Sequence, residues 1–223
     1  MKKYVIIVAG GSGSRMNSSV PKQFLELKGK PLVMHTIEKF AGTVPEINII
    51  LVLSSQYLEQ WNMLCEKHNF KISYQIAAGG DTRFHSVKSG LELVPENSIV
   101  GVHDAARPLV SGQTIVKTFE TAEKIGNASP AISLNESIRI VENGENKSVD
   151  RANYSIIQTP QCFRSSLLKK AFLQEYRNSF TDDASVLEAI GEKINLIEGN
   201  RENIKITTPQ DLIIAEALIC QEL

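Results

Sequence analysis

The chain has few cysteines and no long hydrophobic run at its N-terminus. Its 223 residues include three cysteines, Cys65, Cys162 and Cys220, which lie far apart and form no C-x-x-C pair. An odd number at this spacing argues against a disulfide framework or a zinc site and is typical of reduced thiols in a cytosolic protein. The apolar run after the first residues is too short for a signal peptide or a membrane span. We therefore expect a cytoplasmic protein.

An excess of charge of either sign is also lacking. Lys and Arg total 24 and Asp and Glu total 25, which gives a formal net charge of −1 at pH 7. Proteins that bind nucleic acids or membrane surfaces need a basic excess to attract phosphates, so this balance argues against both classes. Any positive potential must therefore be local. The length predicts one domain, or at most two, and no repeat or linker divides the chain.

Apolar, β-rich runs alternate with helical patterns along most of the chain. The runs cover residues 4–8, 47–53, 72–76, 99–102, 128–133 and 194–197, and the helical patterns cover 32–40, 56–68, 82–93, 113–125, 165–176 and 183–191. A closing helix is predicted after Thr208, because Thr208, Pro209 and Asp211 supply an N-cap, a first-turn proline and an acid at the third position. This alternation predicts an α/β fold with a doubly wound, mostly parallel sheet and helices on both faces.

Residues 135–159 break the alternation of strands and helices. Apolar and polar residues alternate there around the sequence NGEN, which predicts a β-hairpin. A hairpin inserted into a doubly wound sheet either projects as an arm that pairs subunits or folds back onto its own domain. The pattern alone favours neither arrangement.

A glycine-rich stretch, VAGGSGSRMNSSVPKQF, follows the first predicted strand. Strands of α/β proteins end at ligand crevices, where a tight glycine turn lets the backbone approach a phosphate closely. Arg15 and Lys22 are the only charged residues in this stretch, which favours a phosphate-binding loop over a plain surface loop.

Two familiar phosphate motifs do not fit this loop. A P-loop needs Lys-Ser or Lys-Thr after a glycine at a fixed spacing, and none occurs near the glycines. A dinucleotide fingerprint needs a third glycine, where Met16 stands, and an acid after the second strand, where Ser54 and Ser55 stand. The missing glycine and acid disfavour a nicotinamide-dependent oxidoreductase.

Two further segments contain charged and polar residues that we expect at the same crevice. In GGDTRFHSVKSGL, Asp81 lies at a helix start, and Arg83 and Ser86 share one helix face by their spacing. The sequence VGVHDAARP ends an apolar strand in Asp104 and Arg107. An acid at the carboxyl end of a strand, beside a phosphate loop, is a natural Mg²⁺ ligand, although such an acid also commonly caps a helix. The four histidines show no metal-ligand spacing and are interpreted as structural or capping residues.

These segments together resemble the 2-C-methyl-D-erythritol 4-phosphate cytidylyltransferases of the non-mevalonate isoprenoid pathway. The resemblance is carried by VAGGSGSRM, PKQF, GGDTRFHSV, HDAARP, VDR, QTPQCF, TDDAS and EGNRENIKITTPQDL, which span nearly the whole chain. It implies a single nucleotidyltransferase domain over residues 1–223 with a Rossmann-like sheet, residues 135–159 as a projecting dimerisation arm, a homodimer, CTP as substrate and Mg²⁺. HDAARP and TPQ.F also occur in the related ribitol-5-phosphate cytidylyltransferases, which remain the alternative; VDR favours methylerythritol phosphate.

The resemblance also implies a role for each matching residue. Arg15 and Lys22 would be the catalytic cations, and Asp104 would hold the metal. The nucleotide would be bound by Ala9, Gly10, Gly11, Ser12, Gly13, Gly80, Asp81, Arg83, Ser86 and Ala105. The acceptor would be bound by Arg107, Ser137, Arg151, Thr181 and Lys205. Position 137 is commonly Thr in the family, so Ser keeps the hydroxyl and loses a methyl group.

The implied reaction is attack by an acceptor phosphate oxygen on the α-phosphorus of CTP with release of pyrophosphate. Both reactants are anions, so positioned cations and a metal supply the catalysis and no covalent intermediate is required. A nucleotide-binding regulator without turnover is the other alternative, and Arg15, Lys22 and Asp104 together disfavour it. The partners expected are small molecules and a second copy of the chain, with no nucleic acid and no membrane.

Overall fold

Eight strands form one sheet in the part of the chain that the computed structural model describes, residues 1–10 and 21–220. In chain order the strands are β1 Lys2–Val8, β2 Glu26–Leu27, β3 Lys30–Pro31, β4 Asn48–Leu53, β5 Gln75–Ala78, β6 Ser98–Asp104, β7 Asn127–Ser133, β8 Arg139–Glu142, β9 Glu145–Ser148, β10 Ser155–Ile157, β11 Gln161–Arg164 and β12 Leu196–Glu198. The helices are α1 Leu32–Thr43, α2 Leu58–Lys67, α3 Arg83–Glu92, α4 Gly112–Ile125, α5 Ser165–Ala171, α6 Asp183–Glu188 and α7 Pro209–Ile219.

The large sheet is mostly parallel and has the order β10-β7-β11-β6-β1-β4-β5, with β12 also paired to β7. Strand β1 pairs in parallel with β4 on one side and with β6 on the other, and β4 pairs in parallel with β5. The chain thus builds outward from β1 in one direction and then reverses to add β6. Ligands of doubly wound sheets bind at the carboxyl ends of the strands at this reversal, here between β1 and β6.

Helices cover both faces of the sheet because the strands are apolar on both faces. Alternate residues of β1 point to opposite sides: Val5 and Ile7 pack in one core, and Tyr4 and Ile6 pack in the other. The first core contains buried residues of α1, α2 and α4, and the second contains buried residues of α3, α5 and α6. The predicted Rossmann-like α/β fold is confirmed.

The sequence patterns predict most parallel strands and helices to within a few residues, and α7 is confirmed in detail. Thr208 caps this helix in a reciprocal capping box with Asp211, and Pro209 occupies its first turn. The predicted helix over residues 165–176 is too long, because α5 ends at Ala171 and Phe172 stacks on Phe84 with ring centroids 4.6 Å apart.

Strand β11 is missing from the prediction, and strand β10 lies inside the range predicted as a hairpin but pairs with the large sheet. Strand β11 lies between β6 and β7 and runs antiparallel to both, and β10 pairs antiparallel with β7. Each has only three or four residues, too few for a periodic pattern to show. The mostly parallel sheet therefore contains two strands of the opposite direction.

The hairpin predicted in residues 135–159 is present as β8 and β9. They form a two-stranded sheet of their own, joined by Asn143 and Gly144, whose positive φ values of 51° and 83° are typical of a tight two-residue turn. Their side chains are mostly exposed, Val141 by 71%. The hairpin is therefore not packed against the cores of the large sheet.

No helix among the described residues is long and apolar enough to span a membrane. The three cysteines all lie in described parts of the chain and are all free.

Candidate active site

A cleft of about 450 Å³ opens at the carboxyl ends of β1 and β6, where the order of the strands reverses. Its walls come from the end of β1, the loop after β5, the start of α3, the turn after β6, and two separate segments around Lys22 and Lys205. The lining residues are Val8, Ala9, Gly10, Lys22, Gln23, Gly80, Asp81, Thr82, Arg83, Ser86, Asp104, Ala105, Ala106 and Lys205. The cleft is thus assembled from segments distant in sequence.

The carboxylate of Asp104 lies at the centre of a group of cations. One oxygen, Oδ2, accepts from Lys205 Nζ at 3.0 Å and from Arg107 Nε at 3.2 Å, and Oδ1 lies 3.4 Å from Arg83 Nε. Burial alone would raise the pKa of Asp104, but Arg83, Lys205 and Arg107 outweigh it and hold the pKa far below its usual range. Asp104 is therefore ionised at any physiological pH.

Arg83 connects Asp104 to a second buried acid, Asp183. Its Nη2 donates to Asp183 Oδ2 at 2.7 Å, which is shorter than its contact with Asp104. Burial acts to lower the pKa of Arg83, and the two carboxylates more than offset it, so the guanidinium stays charged. Arg83 and Ser86 both line the cleft, as their spacing on one helix face predicts.

Backbone contacts fix the segments that carry these cations. Ile206 N donates to Ala106 O at 2.9 Å, and Arg107 Nη1 donates to Asn203 O at 2.7 Å, so the segment of Lys205 is held against the turn after β6. Sequence reasoning alone would place Lys205 on a strand facing solvent. In the structure its side chain is 37% exposed and reaches Asp104.

His103 anchors the turn that follows β6 and is fully buried. Its Nε2 lies 3.0 Å from Arg107 O, its Nδ1 lies 2.9 Å from Thr159 Oγ1, and Thr159 Oγ1 accepts from Asp104 N at 3.2 Å. These contacts suit a neutral ring that donates from Nε2 and accepts at Nδ1. Burial lowers the pKa of His103 to about 4, which keeps the ring neutral. The interpretation of His103 as a structural residue agrees with these contacts.

Glycines let two backbone segments meet beside the cations. A Cβ on Gly10 would lie 3.0 Å from Ser86 Oγ, and a Cβ on Gly80 would lie 2.5 Å from the Cβ of His85. Gly80 N donates to Ser86 Oγ at 3.1 Å, which fixes the loop after β5 to α3. Side chains at Gly10 or Gly80 would therefore force these segments apart.

A short 3-10 turn, Lys22–Phe24, contains Lys22, which lines the cleft. Phe24 is buried and stacks on Trp61, with ring centroids 6.1 Å apart and an interplanar angle of 8°. This apolar anchor, two residues from Lys22, fixes the turn that carries Lys22 to the cleft.

The structure brings together most of the described residues that the sequence singles out for this site. Ala9, Gly10, Lys22, Gly80, Asp81, Arg83, Ser86, Asp104, Ala105 and Lys205 line the cleft, and Arg107 joins them through Asp104. Gly11, Ser12, Gly13 and Arg15 lie outside the described residues.

Three predicted acceptor residues lie away from the cleft lining. Ser137 and Arg151 are exposed at the base of the β8–β9 hairpin, where Arg151 Nη1 donates to Asn135 O. Thr181 is exposed just before α6, whose N-cap is Asp182. Sequence reasoning misses the lining residues Val8, Thr82 and Ala106. It also misses Asp183, which contacts Arg83 and whose signal in the sequence is the second acid of TDDAS.

A divalent cation would find one protein carboxylate here, Asp104, with the exposed Asp81 also on the cleft wall. The described residues contain no group of three or more His, Cys, Asp or Glu side chains that could hold a metal by themselves. Mg²⁺ needs no such group when substrate phosphates and water complete its shell. The ionised Asp104 therefore fits a metal that arrives with a nucleotide.

Comparison with known proteins gives one consistent family. The profile of IspD, 2-C-methyl-D-erythritol 4-phosphate cytidylyltransferase, matches residues 3–221. A relative of that name from Bacteroides thetaiotaomicron is 49% identical over 219 residues, covering 98% of this chain and 100% of the relative. One from Bacillus velezensis is 39% identical over 226 residues, covering 100% and 97%.

Solved structures of the same kind superpose over nearly the whole chain. The 4-diphosphocytidyl-2C-methyl-D-erythritol synthase of Anaerococcus prevotii gives a TM-score of 0.82 at 28% identity and covers 98% of this chain and 96% of that one. The 2-C-methyl-D-erythritol 4-phosphate cytidylyltransferase of Thermus thermophilus gives 0.79 at 30% identity, with 98% of each chain covered.

The buried, neutral His103 predicts a pH dependence of folding stability. Its pKa is about 4 in the folded chain against an ordinary 6.5, so between these values the unfolded chain binds a proton that the folded chain does not. The free energy of unfolding should therefore fall as pH drops from 6.5 to 4, with His103 contributing on the order of 2–3 kcal/mol. The half-buried His35, whose burial also lowers its pKa, acts in the same direction.

Urea unfolding at several pH values checks this expectation. His103→Gln should flatten the loss between pH 6.5 and 4, whereas His85→Gln, at an exposed position of α3, should leave the slope as in the wild type. A His103→Gln curve parallel to that of the wild type would show that the folded protein protonates His103 normally.

Proposed function

We propose how the cleft works, starting from the family of the protein. The chain belongs to the 2-C-methyl-D-erythritol 4-phosphate cytidylyltransferases. It is a nucleotidyltransferase that transfers CMP from CTP to 2-C-methyl-D-erythritol 4-phosphate, giving 4-diphosphocytidyl-2-C-methyl-D-erythritol and pyrophosphate in the non-mevalonate route to isoprenoid precursors. The relatives described above are methylerythritol enzymes by name, so ribitol 5-phosphate is not favoured as acceptor. An oxidoreductase or a regulator without turnover is not favoured either.

The observation that carries the residue assignments is the group of cations around one ionised carboxylate. In the reaction an acceptor phosphate oxygen attacks the α-phosphorus of CTP, a new P–O bond forms, and the bond to the pyrophosphate oxygen breaks. Negative charge accumulates at the α-phosphate and on the leaving pyrophosphate. Lys22 and Lys205 line the same cleft, so preorganised cations face this charge without having to reorganise during the reaction.

The nucleotide side of the cleft is proposed to be the wall formed by β1, β5 and α3. Ala9 and Gly10 offer a backbone that a phosphate can approach, and Gly80, Asp81, Arg83 and Ser86 form the wall beside it. Ala105 continues this wall: Ala105 N donates to Val8 O at 3.1 Å, which holds the turn after β6 against the end of β1. Gly11, Ser12 and Gly13 are proposed to extend the phosphate-binding turn, with Arg15 as a second catalytic cation beside Lys22.

Asp104 is proposed to hold Mg²⁺ together with phosphate oxygens of CTP. The ion would neutralise triphosphate charge and make the pyrophosphate a better leaving group. Asp104 suits this task because its carboxylate stays ionised at the cleft wall, and its contact with Arg83 at 3.4 Å is long for an ion pair. Arg107 and Lys205 keep that carboxylate in place.

The acceptor is proposed to bind between two subunits of a homodimer. Lys205 and Arg107 belong to the cleft, whereas Ser137 and Arg151 lie exposed on the hairpin arm and Thr181 lies before α6. The side chains of the hairpin are mostly exposed and do not pack against the cores of their own chain. The arm also carries Arg151, an arginine suited to binding phosphate, and both features support a contact across a two-fold axis. The chain is then one nucleotidyltransferase domain over residues 1–223 with residues 135–159 as its dimerisation arm, in which β8 and β9 form the hairpin and β10 joins the arm to β7 of the large sheet. We propose a cytoplasmic location.

Replacement of Lys22 tests the catalytic assignment. Lys22→Ala should lower kcat with CTP and 2-C-methyl-D-erythritol 4-phosphate by about 10²–10³, because one cation that stabilises the transition state contributes roughly 2.7–4 kcal/mol. The KM for CTP should change much less. Pyrophosphate release measures both parameters, and Lys71→Ala, at an exposed position away from the cleft lining, is the matched control. A normal kcat with only a raised KM would overturn the catalytic role of Lys22.

Mixed dimers test whether the arm crosses to the other subunit. Lys22→Ala and Arg151→Ala chains, each nearly inactive alone, are unfolded together and refolded. If Arg151 serves the partner's site, a mixed dimer has one site with both lesions and one with neither. Activity should then return to about a quarter of the wild type under random pairing. If mass spectrometry finds mixed dimers and the mixture stays as inactive as its parents, the arm does not cross.

A further inference from the structure

Asp183 is a buried acid that lies behind the cleft and does not line it. Its side chain is 1% exposed, and its Oδ2 accepts from Arg83 Nη2 at 2.7 Å. The other oxygen, Oδ1, is buried and has no hydrogen-bond partner among residues 1–10 and 21–220. Burial raises the pKa of Asp183, and the nearby Arg83 opposes this rise only in part. A carboxylate in this condition needs an explanation, because an unpaired buried oxygen is costly.

Stability does not explain why an acid stands at position 183. Replacing a buried ion pair by uncharged groups is often neutral or stabilising, because the pair seldom regains the cost of removing two charges from water. The orphaned Oδ1 adds to that cost. The closest contact of Asp183 is instead with a residue of the cleft wall, Arg83.

The position of Asp183 is itself fixed by the strand next to β6. Gln161, a buried residue of β11, accepts from Ala184 N at 2.9 Å and donates to Asp182 Oδ2 at 2.7 Å. In the sheet Gln161 pairs with Val102, two residues before Asp104. The start of α6 is therefore tied to the same part of the sheet that presents Asp104.

We propose that Asp183 is a positioning residue that orients Arg83 for the cytidylyl transfer, which presupposes the function proposed above. The short contact holds Nη2 of Arg83 at Asp183, while the hydrogen bond from Arg83 to Asp104 comes from Nε. Without Asp183, Asp104 is the remaining acid in contact with Arg83 among the described residues. The planar guanidinium would then turn to bind Asp104 with two nitrogens, the geometry that Arg prefers with a carboxylate.

That rearrangement would disturb the centre of the site. Asp104 Oδ2 already accepts from Lys205 and Arg107, and a bidentate Arg83 would compete with both of them. It would also occupy the Oδ1 atom that the 3.4 Å contact leaves loosely bound. Asp183 thus keeps Asp104 and its other two cations in the arrangement that meets the substrates.

Asp183→Asn is the first test, with Glu188→Gln as its matched control on the same helix. Glu188 is exposed at the last residue of α6, so the change from acid to amide there leaves the start of the helix as it is. We expect Asp183→Asn to lower kcat/KM for CTP by between about ten- and a hundredfold, mainly through kcat, because small misplacements at a reacting centre have effects of this size. The Tm of Asp183→Asn should stay close to that of the wild type, because Arg83 keeps Asp104 as a counter-charge and is not left as an unpaired buried cation. Glu188→Gln should lose less than about threefold in activity, as is usual for a surface substitution.

A double-mutant cycle separates positioning from an independent role. If Asp183 acts through Arg83, adding Asp183→Asn to Arg83→Met should change kcat/KM no further. Asp183→Leu, which removes both buried oxygens, repeats the cycle and covers the case in which the Asn variant does not fold. Two results would overturn the role of Asp183: losses of kcat/KM that multiply in the double variant, or losses of activity that only follow a lowered Tm. A wild-type chain inactive with CTP and methylerythritol phosphate would instead overturn the proposed function.

Discussion

The contact that the rest of the site depends on is the ion-pair group around Asp104. Three cations meet this one carboxylate, and they come from three parts of the chain: α3, the turn after β6 and the segment before α7. Two of these parts are also joined to each other, since Ile206 N donates to Ala106 O. The acid at the end of β6 brings the charged ends of the three side chains to one point.

Such a group has a chemical advantage in a reaction between two anions. Cations held near one another repel, and a central carboxylate lets them stay close without a bound ligand. When a triphosphate and an acceptor phosphate arrive, the cations are already placed and need no reorganisation. The neutral His103, next to Asp104 in the chain, supports the turn after β6 through hydrogen bonds and adds no further charge to the site.

The sequence predicts the main strands and helices and the residues of the cleft. It predicts less well the contacts that these residues make with one another. Long apolar strands such as β1 and β6 and the capped helix α7 carry strong local signals. Strand β11 carries no such signal, because four residues are too few to show a periodicity. It forms through its pairing with β6 and β7 on either side. Asp183 is missed for a related reason: its role depends on a contact with Arg83, 100 residues away, which no local pattern encodes.

The most direct test of this account is the kcat of Asp104→Asn, measured with calorimetric binding of CTP in the absence of metal. The amide keeps the shape of the side chain and removes the charge that holds the cations together. We expect kcat to fall by at least about a hundredfold. Metal-free CTP should bind less tightly than to the wild type, because the cations that would meet its phosphates are no longer held together. A variant with a near-normal kcat and wild-type binding of metal-free CTP would contradict the central role of Asp104.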